Sequence, residues 1–390
     1  MDKKKIILIL GFAGFIAMAD NWVVSPILPS IAQNLNVNVA SASIIITAYM
    51  LPFGLFQLLY GYLAERFGKR QIITLSTSLF TVATALCAFA IAIPDLAAYR
   101  ALTGMFAAAI MPVSLALIGD LFPMEARQAA IGSFMGMSFL GQGLSMAIGG
   151  SIAYFLNWRG VFAVYAVLAA VSSVLLFTVG RKIPSTKNKN TKALMPYINI
   201  LKNPSSVIIY ALVIFEGVFL IGSFSFIGGF LKQIFELNNF VIGIVMTAFG
   251  IMALIAGKKS GIIVGKIGRK KTVVIGLGLA FLADILLVVS GSALPAVIIA
   301  VALMGFGFMM AHSTFLNIAT EFAASARSYA TSLVAFCFMG GGGIGTAIGG
   351  KIVVASSFEK LFTVYGIGLL LVTMCALLVK SSFKTSNKLS

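Results

Sequence analysis

Few residues in this chain can do chemistry, since only 10% of its 390 residues are charged. Asp20 is the most informative of them. It sits in Ala19-Asp20-Asn21-Trp22, well inside an apolar run that begins after Lys3, Lys4 and Lys5. At 1.5 Å per residue its carboxylate lies roughly 20 Å along a helix, near the middle of a hydrocarbon layer. A carboxylate at that depth is costly unless it is paired, hydrated or protonated, so proton carriage is the chemistry it suits; a helix-packing hydrogen bond is the plain alternative. Arg100 lies about two turns into another apolar run and either snorkels outward or turns inward to meet Asp20, and the inward course is expected. Glu216 occupies a similar depth further along the chain. Tyr49, Phe53 and Gln57 share one helix face at spacings of four and could line a cavity for a small molecule. Asn21, Trp22, Gln142, Glu216 and Phe249 complete the candidate binding set.

Other polar residues fit this chemistry less well. His312, the single histidine, is placed toward the end of its run, where a polar packing role is expected, and Asp284 has no evident partner. Lys258 and Lys259 are close enough to a helix end to snorkel, while Lys351 could meet an acid or a ligand. Cys87, Cys337 and Cys375 each fall inside an apolar run, which favours packing over disulfides or metal binding. No nucleophile with its base and no metal-ligand cluster can be assembled, so an enzyme is not expected and neither a metal nor a cofactor is implied.

A second kind of chemistry is concentrated in Gly61-Tyr-Leu-Ala-Glu65-Arg66-Phe-Gly68-Lys69-Arg70, a charged loop between two apolar runs. Its charges must lie at a membrane face, and Gly61 and Gly68 are expected to allow close helix approach and a turn. The loop returns at Gly261-Ile-Ile-Val-Gly-Lys266-Ile-Gly268-Arg269-Lys270. Further repeats keep nearly the same offset: Thr47-Ala48-Tyr49 with Thr247-Ala248-Phe249, and Ala147-Ile148-Gly149-Gly150 with Ala347-Ile348-Gly349-Gly350. The chain is a duplicated unit.

These residues are carried by elements whose nature composition fixes. With 60% hydrophobic residues and mean hydropathy +1.05, this is a polytopic membrane protein, read as all-α. Twelve apolar runs lie between residues 6 and 380, the first leaving the membrane near Pro26 and Pro29. Two parallel halves of six helices follow: 1–180, a polar linker at 181–204, and 205–390 with a short tail. The net charge of +17 reflects topology rather than nucleic-acid binding. Lys3 to Lys5, Arg66, Lys69, Arg70, the linker cations, Lys266, Arg269 to Lys271 and the tail lysines Lys380, Lys384 and Lys388 fall on one side, which places both termini in the cytoplasm. The first run has no evident cleavage site and is expected to be retained. Gly132, Gly136, Gly141, Gly143, Gly149 and Gly150 in the fifth run are expected to let helices pack backbone to backbone.

The twelve spans, the basic central linker and Gly61-x-x-x-Glu65-Arg66-x-Gly68-Lys69-Arg70 together resemble the major facilitator superfamily over nearly the whole chain. Arg100 with Gly104 resembles its proton-coupling motif, and the glycines of the fifth run resemble its antiporter motif, although Ser145-Met146 stands where drug:proton antiporters usually carry Gly-Pro. The resemblance implies two pseudo-symmetric six-helix bundles that rock about a central site. It implies a conformational latch of Gly61, Glu65, Arg66, Gly68, Lys69, Arg70 and Asp120, and proton coupling through Asp20, Arg100 and Glu216. The expected protein is a bacterial plasma-membrane exporter of small amphipathic or cationic compounds, monomeric and driven by the proton gradient. The alternatives are an exporter of a sugar, amino acid or other metabolite and, more remotely, a membrane sensor or intramembrane enzyme.

Overall fold

Apolar runs of this length become helices because hydrocarbon offers the backbone no hydrogen-bond partner, so each span must satisfy its own N–H and C=O groups. The computed structural model describes residues 3–187, 195–289, 293–322 and 327–379, and every described element is helical. Among the described residues, twelve helices are long and apolar enough to cross a membrane: α1 (Lys3–Trp22), α2 (Val39–Phe67), α3 (Lys69–Ala88), α4 (Ile93–Leu121), α5 (Ala130–Phe155), α6 (Trp158–Lys182), α7 (Pro204–Phe235), α8 (Asn239–Ile267), α9 (Arg269–Val289), α10 (Leu294–Phe322), α11 (Tyr329–Ala355) and α12 (Phe358–Leu378). Residues 188–194 of the expected linker and the tail lysines Lys380, Lys384 and Lys388 lie outside the described residues.

The duplication is visible in the packing. In the first half α1 packs on α5, α2 on α4 and α3 on α6; in the second α7 packs on α11, α8 on α10 and α9 on α12. Single glycines repeat as well. Gly104 lies against the Tyr49 carbonyl and Gly305 against that of Phe249, each so close that a Cβ would collide with it. Gly141 against Phe15 and Gly341 against Ile214 form a second such pair.

The halves meet along α5 with α8 and α2 with α11. Gly150 abuts the backbone of Asn239 and Gly243, Gly143 abuts Gly250, and Gly350 abuts Ala40. Toward the end of the molecule that holds the charged loops, Gly132 and Gly136 of α5 and Gly261 and Gly265 of α8 would meet nothing within 4 Å. Of the six glycines expected to support close packing in the fifth span, Gly132 and Gly136 therefore do not. The backbones of α5 and α8 thus meet toward the far end and are splayed at the loop end.

One boundary differs from expectation. Helical structure does not stop at Pro26 and Pro29, near which the chain is expected to leave the membrane; after a break at Val23 it resumes over Val24–Asn34, with both prolines buried. Pro26 lies in the first turn of this segment, where its missing N–H costs nothing. Pro29 leaves the Ser25 carbonyl without its i+4 donor, and Gly228 of α7 packs directly against that carbonyl. The proline thus serves the far-end closure rather than ending the helix.

Candidate functional site

Asp20 and Arg100 meet. Arg100 Nη1 donates to Asp20 Oδ2 at 2.6 Å and Nη2 to the Asp20 carbonyl at 3.3 Å, and the two side chains are 0% and 1% exposed. The guanidinium also lies over the Tyr49 ring at 4.2 Å from its centroid, with Phe162 at 5.7 Å. Tyr49 stacks in turn on Phe53. Two members of the candidate binding face are therefore tied to the ion pair, and Gln57 on the same face is buried.

Glu216, fully buried on α7, pairs with His312 on α10: Nδ1 lies 3.1 Å from Oε2. This replaces the packing role expected for His312. Glu216 is followed at once by a π-helical turn, Gly217–Ile221, a local irregularity often found at functional sites. Gly217 there packs against the Phe338 carbonyl of α11 too closely for any larger residue.

From this pair an aromatic series runs toward the first half. His312 contacts Phe338 (ring centroids 4.4 Å apart) and Phe308 (5.2 Å). Phe308 stacks on Phe249 at 5.6 Å, and Phe249 meets Phe224 at 4.3 Å. Trp22 then closes on Phe224 and Phe249 at 5.5 and 5.4 Å. Trp22 belongs to the first half and the other rings to the second, so the series crosses the surface on which the halves meet. Phe224, Phe308 and Phe338 were missed as candidates. Around this surface several buried polar atoms have no hydrogen-bond partner within the chain: both amide atoms of Asn21, Trp22 Nε1, Gln142 Nε2 and Glu216 Oε1.

At the loop end Lys69 Nζ binds Glu65 at 2.6 Å and Asp120 at 2.8 Å, joining α2, α3 and α4. Gly68 adopts φ +103°, a conformation that favours glycine. The other loop residues do different work. Arg66 bonds the Tyr62 hydroxyl, and Arg70 bonds the Arg181 carbonyl at the start of the linker. Gly61 would meet nothing within 4 Å, so the close approach expected of it is absent; the chain turns at Gly68 alone.

Asp284 is also buried. Its Oδ1 accepts from Ser223 at 2.5 Å, two residues beyond the π-turn of α7. Lys258, Lys259 and Lys351 are exposed. Cys87 and Cys337 are buried, whereas Cys375, expected to be packed, is exposed on α12.

Duplicated six-helix halves carrying this loop at their base have a counterpart among known proteins. The family profile described as Major Facilitator Superfamily matches residues 10–325 and 219–390. The chain belongs to the major facilitator superfamily. Its twelve candidate spans are those of a multi-pass membrane protein, and similar members of the family are described as transporters. Among similar superfamily members, the uncharacterized MFS-type transporter EfpA of Mycobacterium tuberculosis is 31% identical over 184 residues, 47% of this chain and 34% of EfpA. The puromycin resistance protein pur8 of Streptomyces alboniger is 36% identical over 162 residues, 41% of this chain and 32% of that protein. The match thus spans about a third of the length of these curated relatives. The crystal structure of the nucleoside transporter NupG (D323A mutant) superimposes with TM-score 0.80 at 13% identity, covering 98% of this chain and all of that one.

Proposed function

We propose that this transporter exports small amphipathic or cationic compounds in exchange for protons by alternating access. The observation that carries the proposal is the surface between the halves: Glu216, a buried carboxylate, is joined to Trp22 through a run of aromatic rings. Around it both amide atoms of Asn21, Trp22 Nε1, Gln142 Nε2 and Glu216 Oε1 have no partner in the chain. Aromatic faces with a buried carboxylate suit a lipophilic cation. Asp20 takes and releases the proton, with Arg100 as its charge partner; Glu216 recognises substrate. The similarity to pur8, a resistance protein by name, supports the same assignment.

With the charged loops in the cytoplasm, as the lysine and arginine distribution indicates, the splayed end faces inward and the closed end outward. Breaking the Lys69 bridges at the loop end while the α5–α8 and α2–α11 contacts separate at the far end gives the opposite state. The protein then works as a monomer in the plasma membrane of a bacterium, with the proton gradient as its energy source.

The Asn21 and Gln142 amides favour a second possibility, export of a polar metabolite. Purified protein in liposomes separates the two. An imposed proton gradient should drive uphill movement of a fluorescent organic cation, and sugars or amino acids in excess should not compete. Competition by the polar solutes, with no gradient-driven movement of the cation, would refute drug export.

A further inference from the structure

His312 deserves a role that its depth in the sequence does not suggest. Its imidazole is a flat ring with an N–H group, held against the Glu216 carboxylate by Nδ1 at 3.1 Å. It lies among the aromatic rings as a member of the series, 4.4 Å from Phe338 and 5.2 Å from Phe308. The carboxylate is fully buried, whereas His312 remains 18% exposed. The ring is thus the solvent-touching lid of a buried acid. Glu216 Oε1 has no hydrogen-bond partner in the chain, which leaves polar capacity on the carboxylate that the imidazole contacts.

We propose that His312 is a built-in stand-in for the substrate: it occupies the position of a planar aromatic cation, and such a cation displaces it to pair with Glu216 and stack on Phe308 and Phe338. The proposal rests on the assignment of this surface as the substrate site and narrows the substrate class to flat aromatic cations. The geometry favours them for two reasons. The buried Glu216 carboxylate, whose ion-pair partner among the described residues is His312, selects positive charge, and the side chains against which His312 lies, Phe308 and Phe338, are aromatic rings rather than a polar lining. A ligand that must first move His312 binds with an affinity reduced by the fraction of molecules in which the ring has left. His312 is therefore a specificity-determining residue, holding the acid closed against solutes that cannot replace both its contact with the carboxylate and its contacts with the rings.

The test uses the full-length protein in detergent and two probes of nearly the same shape, N-methylacridinium as the cation and acridine at pH 8 as its neutral counterpart, with binding measured by calorimetry. His312→Ala should bind N-methylacridinium at least about fivefold more tightly than wild type, because the internal competitor is gone. In wild type and variant alike acridine should bind at least about tenfold more weakly than N-methylacridinium, since the neutral ring gains no carboxylate partner. His312→Gln, which retains a donor but no ring, should shift cation binding in the same direction and decides the matter if the alanine variant does not fold. Glu216→Gln should weaken N-methylacridinium at least about tenfold, the loss of one charge-assisted contact. Unchanged or weaker cation binding in the His312 variants would overturn the stand-in role, and acridine binding as tight as that of N-methylacridinium would overturn the selection for cations. Undiminished cation binding by Glu216→Gln would instead remove the substrate site itself, so the two failures are distinguishable.

Discussion

Replacing Arg100 by Leu should be among the most damaging single changes in the first half. The substitution keeps an apolar side chain, though a shorter one, and leaves the Asp20 carboxylate, 0% exposed, without the cation that binds it at 2.6 Å. Breaking a buried pair from one side costs about 3–5 kcal/mol. Loss of the contact over the Tyr49 ring, 4.2 Å from its centroid, adds about 2 kcal/mol for a desolvated cation–π pair. Asp20→Asn strands the guanidinium instead and should cost about 3–5 kcal/mol by the same reasoning. The double variant buries no charge, so its cost should fall below the sum of the two singles by about 2 kcal/mol or more, within the range for residues in direct contact. The assay is denaturant unfolding in detergent, followed by the emission of the two tryptophans, Trp22 and Trp158. Single-variant costs that add to within about 0.5 kcal/mol would show that the groups do not interact and would refute the pairing.

Three further outcomes are expected. Gly250→Val would drive a side chain into the Gly143 backbone, so it should weaken far-end closure and raise the labelling rate of a cysteine placed at Thr47 by a thiol reagent added from outside; an unchanged rate would mean that this contact does not hold the closed state. Glu65→Ala and Gly68→Val should slow transport at least about tenfold while changing ligand affinity less than about threefold, because the loop at φ +103° governs rocking and does not touch substrate; equal losses of rate and affinity would contradict this. Cysteines placed at the exposed positions Lys187 and Asn36 should label from opposite sides of the membrane, Asn36 from outside. Labelling of both from outside would contradict this topology.

Much of this architecture could be read from the residues alone, because a membrane leaves few choices. Apolar run lengths gave twelve spans, and the repeated loop gave two parallel halves. Asp20 and Arg100 could be matched by depth, each too costly to leave unpaired in hydrocarbon. The Glu216–His312 pair was legible in principle and was missed. Glu216 lies roughly 18 Å from the Pro204 end of α7 and His312 roughly 15 Å from the Phe322 end of α10, at the same membrane face. Their helices run in opposite directions, and side chains tilt toward the N-terminus of their own helix. The carboxylate therefore points toward the loop end and the imidazole away from it, so the two converge. Counting His312 from its helix end without that tilt placed it too far from the centre. The continuation of the first span past Pro26 and Pro29 was hidden for another reason. Proline in sequence signals a stop, and only the packing of Gly228 on the freed Ser25 carbonyl explains why the helix resumes.

Proton coupling through Asp20 is the central claim, and its most direct test is substrate flux in proteoliposomes under an imposed pH gradient, comparing wild type, Asp20→Asn and Glu216→Gln. Asp20→Asn should lose uphill transport and keep downhill movement, since a permanently neutral amide cannot cycle a proton. Glu216→Gln should keep uphill transport of neutral substrates and lose that of cations. Uphill transport at the wild-type level by Asp20→Asn, with coupling lost only in Glu216→Gln, would move the proton site to α7 and contradict the assignment.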